Sequence, residues 1–121
     1  MKNSTLIDSY LEAIKRTEMA GEALGKALLK ALRAVLPYLD FSLGWAEGGS
    51  DLLCFWAYNG ASRENSEGRE NVLLDDVIAE AIPELASHVD TPFGIWISPK
   101  EAERVRRILQ NWKNGRTTNG K

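Results

Sequence analysis

Leu52-Leu53-Cys54-Phe55-Trp56-Ala57-Tyr58 is apolar at every position, so it offers both faces of a strand to neighbours. A strand of that kind belongs in the middle of a sheet. Just upstream, Phe41, Leu43 and Trp45 alternate with Ser42, Gly44 and Ala46, the period of a half-buried strand. Gly48-Gly49-Ser50 lies between them and tolerates positive φ, so residues 40–58 read as an antiparallel β-hairpin. Its small-residue face (Ser42, Gly44, Ala46) is the thinner one and the one that could receive a partner.

Upstream of the hairpin, about Leu6 to Leu36 reads as helix, capped by Thr5 with Asp8 three residues on. The stripe Ile7, Leu11, Ile14, Glu18, Gly21, Gly25, Leu28, Leu32 and Val35 is apolar at both ends and broken in the middle. A helix of about 30 residues would be roughly 45 Å long, more than a domain of this size spans. Either the helix breaks near Gly21 and folds back, or one end projects towards a partner. Glycine is costly inside a helix, so a break is expected. Pro37 ends the second half.

Downstream, Asn59 to Asn71 is polar and reads as a long exposed loop. Val72 to about Ala86 reads as helix, with Val77, Ile78, Ala81, Ile82 and Leu85 inward and an end or kink forced by Pro83. Pro92 to Ile97 reads as a third strand. Ser98-Pro99-Lys100-Glu101 is a strong helix start, with a cap, a first-turn proline and a capping box. Ala102, Val105, Ile108, Leu109 and Trp112 give that helix its buried stripe, and Asn114-Gly115 stops it. The order is α-β-β-α-β-α. The expected fold is α+β: a small three-stranded, mainly antiparallel sheet with helices packed on one face. The 121 residues suit a single domain, with 114–121 a flexible tail.

Cys54 is the one cysteine, so no internal disulfide forms, which favours a reducing compartment and a cytoplasmic location. The opening residues lead into an amphipathic segment, so no signal peptide is expected, and no apolar run is long enough for a membrane span. The net charge of −2 conceals a strong asymmetry. Residues 1–39 sum to about +2, 40–90 to about −9 and 91–121 to about +5.

Cys54 and His88 form the sole thiol–imidazole combination, but the thiol lies in an apolar strand, where it packs as a small hydrophobe. One cysteine and one histidine do not make a zinc site, and the glycines lack the lysine and hydroxyl spacing of a phosphate loop. No cofactor or metal is expected. Asp75, Asp76 and Glu80 could present carboxylates along one helical edge, although acids in a first turn also suit the helix dipole. Lys100, Arg104, Arg106, Arg107 and Lys113 make the last helix basic, with Arg116 following it, and Glu101 and Glu103 dilute the patch.

The favoured expectation is a non-enzymatic protein–protein interaction module, using Glu64, Glu67, Glu70, Asp75, Asp76 and Glu80 against a basic partner surface. Its sharpest form is a small phage- or mobile-element-encoded inhibitor of a host nucleic-acid-targeting defence complex, anti-CRISPR-like in action, whose acidic surface mimics phosphate. The first alternative is nucleic-acid binding by the basic C-terminal helix. The second is a small enzyme using Cys54 or the acidic helix 75–80. A homodimer through the N-terminal helix is a further expectation for partners.

Overall fold

A computed structural model describes residues 3–16, 20–45, 49, 51–57, 71–92 and 94–115. It is an α+β fold with helices α1 (Asn3–Lys15), α2 (Gly21–Leu32), α3 (Leu74–Ala81) and α4 (Pro99–Lys113). The strands are β1 (Leu39–Trp45), β2 (Asp51–Ala57), β3 (Val72–Leu73), β4 (Val89–Asp90) and β5 (Trp96–Ile97).

The hairpin forms as its alternation requires. β1 and β2 pair antiparallel, Phe41 opposite Phe55 and Trp45 opposite Asp51, and Gly49 in the connection has φ +81°. β2 is central, in the order β1-β2-β4. Leu53 and Phe55 are fully buried on one face, while Leu52 and Cys54 are half-buried and Trp56 exposed on the other. An all-apolar strand therefore keeps one face partly open.

The third strand of this sheet is β4, parallel to β2 with Leu53 opposite Val89, so the sheet is mixed rather than mainly antiparallel. The expected strand at Pro92–Ile97 shortens to Trp96–Ile97, and it pairs with β3 in a separate two-stranded ladder. Val72 and Leu73, expected in the helix, are drawn into that ladder opposite Ile97 and Trp96. Pairing partners override local periodicity here, because strands this short have little intrinsic preference.

The N-terminal helix does break. α1 ends at Lys15 and α2 starts at Gly21, and the two helices pack against each other. Ile7 and Tyr10 of α1 thereby enter the same core as Leu24, Leu28 and Leu32 of α2. A single helix projecting from the domain is not formed. α1 begins at Asn3, so Thr5 and Asp8 lie inside it rather than at its cap. Glu18 lies outside the described residues.

Glycine serves α2 by closeness rather than by weakness. The Phe41 ring lies against the Cα of Gly25, where a side chain would collide with it. Gly21 is approached by Leu43, Leu53 and the Asp51 carboxylate. Small residues in a helix thus let a sheet come in close.

α3 ends at Ala81, and Pro83–Leu85 continues as a 3₁₀ turn, as the proline requires. At α4 the capping box is complete: the Glu101 N–H donates to Ser98 Oγ at 3.1 Å, and the Ser98 N–H to Glu101 Oε1 at 3.0 Å. Ala102, Val105, Leu109 and Trp112 are buried, and Gly115 ends the helix with φ +78°. Among the described residues no helix is long and apolar enough to cross a membrane.

Candidate functional site

The fold separates the acids of residues 75–90 into two groups. Glu80 lies 3.1 Å from Arg106, and Glu84 is 2.8 Å from Lys113, so these acids join α3 and the turn after it to α4. Lys113 holds the Glu84 carboxyl below its usual range, chiefly by a direct hydrogen bond. Arg107 lies 3.8 Å from Glu103 on its own helix. The basic helix is thus largely engaged with carboxylates of the same chain. The shallow groove beside it, lined by Glu80, Glu103, Arg106, Arg107 and Gln110, carries both signs of charge. Arg104 is exposed on α4, and Arg116 lies outside the described residues.

Among the described residues, no ion pair engages the second acidic group. Asp75 and Asp76 open α3, and Asp90 sits on β4 opposite Cys54. Burial raises the Asp75 carboxyl above its usual range, and the negative charges of Asp76 and Asp90 add to the rise. Asp75 Oδ1 is shielded from solvent and lacks a hydrogen-bond partner among the described residues. Asp90 joins this group through chain pairing, and only the parallel register of β4 reveals it. Glu64, Glu67 and Glu70 lie outside the described residues.

Asp90, through its pairing with Cys54, adjoins the open face of the sheet. Cross-strand pairs share a face, which places Asp40 with Trp56, Ser42 with Cys54, and Gly44 with Leu52. Trp56 is 36% exposed and Ser42 is exposed. Gly44 leaves room for the Cys54 sulfur, since a Cβ there would stand 2.9 Å from it. The result is a surface with Trp56 at one end and Asp90, paired with Cys54, on its β4 side. The other exposed tryptophan, Trp45, is 59% exposed at the far end of β1, whereas Trp112 is buried.

The thiol and the imidazole are tuned for different surroundings. Burial, and next the Asp90 carboxylate, push the Cys54 thiol up, away from the thiolate that nucleophilic work needs. His88 packs edge-to-face against Tyr10 with ring centroids 5.9 Å apart, and burial lowers its pKa. A base next to Cys54 would lower the thiol pKa; its carboxylate neighbour does the opposite. Among the described residues no group of three or more His, Cys, Asp or Glu side chains could hold a metal ion.

Comparison with family models, with curated proteins and with solved structures finds no match for this chain, so the surface is read from its own chemistry.

Proposed function

We propose that this protein is a non-enzymatic interaction module that binds a partner with a basic surface through the open face of its sheet. The observation that carries this reading is the set of acids that no ion pair engages among the described residues. Among the described residues, Glu80 and Glu84 meet α4, whereas Asp76 and Asp90 each act on the part-buried Asp75 carboxyl, and Asp90 pairs with Cys54 on the strand that carries the exposed Trp56. A lysine or arginine from a partner relieves that repulsion, and the tryptophan supplies the apolar anchor. The loop acids Glu64, Glu67 and Glu70, outside the described residues, belong to the same proposal on their charge alone.

A partner surface of this kind also binds nucleic acid. The sharper form of the proposal is therefore an inhibitor that occupies the nucleic-acid channel of a targeting complex, as a mobile element would encode. Affinity capture from the cell that makes the protein tests both forms. The wild type, Asp76→Lys with Asp90→Lys, and Trp56→Ala are run in parallel. Support is a partner held by the wild type, released by salt and weakened about 30-fold or more by either variant. Displacement of that partner's DNA or RNA would support the inhibitor form. A partner that both variants retain at full strength removes this surface from the proposal.

A further inference from the structure

Among the described residues, the outer edge of β1 is half closed and half open. Leu53 donates its N–H to His88 O at 2.8 Å, so the backbone groups of Leu53 point towards β4. Its cross-strand partner Leu43 must then point its own N–H and C=O away from β2, and the same parity holds for Leu39, Phe41 and Trp45. At the first of these, Arg33 Nε donates to Leu39 O at 2.7 Å. At the next, the Phe41 N–H donates to Asp40 Oδ1 at 2.8 Å, and Asp40 is itself 3.8 Å from Arg33. The chain thus covers the start of its edge with its own side chains, a common defence against unwanted pairing. Among the described residues, the cover stops at Phe41 N–H. Beyond it the outward groups are Phe41 C=O and the N–H and C=O of Leu43 and Trp45, and Trp45 is 59% exposed.

We infer that this open half-edge pairs with the same half-edge of a second copy, in an antiparallel ladder with Leu43 on the two-fold axis. The register follows from the groups left free. Each Leu43 N–H reaches the C=O of the second copy's Leu43, and each Trp45 N–H reaches the C=O of the second copy's Phe41. The Phe41 N–H stays with Asp40, which ends the ladder. No charged residue faces its own copy across residues 41–45, Phe-Ser-Leu-Gly-Trp. Ser42 opposes Gly44 on the open face, and Trp45 covers Phe41 and Leu43 on the helix face. With no like charges to repel, small residues opposite small ones and the exposed Trp45 opposite Phe41, the segment matches a second copy side chain by side chain. The paired stretch is short, so association is concentration-dependent. The surface is separate from the Trp56 and Asp90 face and does not depend on the function proposed above.

Sedimentation equilibrium and amide hydrogen exchange of the intact protein, both across a concentration series, test the pairing. The expected result is a monomer–dimer equilibrium in which the Leu43 and Trp45 amides gain protection in step with the dimer, while the Phe41 amide does not change. Trp45→Lys, at an exposed position, weakens the dimer about tenfold or more and leaves the monomer folded by circular dichroism. A monomer up to millimolar concentration overturns the inference. So does a dimer that leaves the Leu43 and Trp45 amides exchanging at the monomer rate, or one that Trp45→Lys does not weaken.

Discussion

The carboxylate of Asp51, the first residue of β2, accepts the backbone N–H of Gly21, the first residue of α2. The same oxygen also accepts the N–H of Ala20. The start of α2 has no side-chain cap of its own, so the sheet supplies one from 30 residues further along the chain. The Tyr10 hydroxyl donates to Asp51 O at 3.1 Å, which ties α1 to the same point. Burial, then the Asp51 charge, push the Tyr10 hydroxyl pKa upward, so it stays a donor at any physiological pH.

Asp51→Ala should therefore destabilise the protein by about 3 kcal/mol, from loss of charge-assisted bonds to buried N–H groups. Asp51→Asn keeps one acceptor oxygen and should cost about half as much. Urea denaturation with a two-state fit measures both. A loss for the alanine variant no greater than that of an ordinary surface substitution would show that water or another group caps α2.

Gly25→Ala separates two opposite effects. In an open helix interior this change stabilises by about 1 kcal/mol. Here the added methyl would enter the space of the Phe41 ring, so a loss of about 2 kcal/mol is expected. Phe41→Leu in the same chain should recover part of the loss, and a thermodynamic cycle reads the coupling. Additive effects of the two substitutions would show that ring and glycine do not meet.

Cys54 should react with maleimide at pH 8 about tenfold more slowly than a free thiol, because its pKa is raised and its access partial. Asp90→Asn removes the negative charge that holds the proton on sulfur, so the pH profile of labelling should move to lower pH. A profile that moves the other way, or stays in place, would show that burial alone sets the thiol.

Asp75→Asn should stabilise the protein at neutral pH. The folded pKa of Asp75 lies above its ordinary value of 3.8, so the native state holds the proton more tightly than the unfolded chain. The stability this group contributes is complete below about pH 3.8 and is lost as pH rises through the folded pKa. At pH 7 the charged carboxylate therefore weakens the fold, and the amide removes that strain. Chemical denaturation from pH 3 to 7 should show the variant gaining on the wild type as pH rises. The reverse slope would mean that hydrogen bonds to the carboxylate outweigh its burial. If the acidic face binds a basic partner, the same variant should gain stability and lose affinity together.

Legibility in the sequence followed the range of the interactions involved. The hairpin, the break near Gly21, the stop at Pro83 and the Ser98 box are set by residues within a few positions of one another. All of them are present where the local pattern puts them. Thr5 was the exception, because a helix start fixed by packing of Ile7 and Tyr10 overrides a local cap signal. The short strands were not legible. Two residues carry no period, and Val89–Asp90 becomes a strand only because β2 offers its free side.

The acidic site divides along the same line. That Asp75, Asp76 and Glu80 are near one another follows from helical spacing alone. That Glu80 is neutralised by Arg106 while Asp75 is left facing Asp90 depends on α4 docking against α3 and on β4 lying parallel to β2. Local sequence thus determined where this chain turns, caps and breaks, since those choices rest on backbone dihedrals and contacts a few residues apart. Tertiary structure alone decided which acids meet a basic partner on α4 and which tryptophans meet solvent, because both depend on groups brought together from distant parts of the chain.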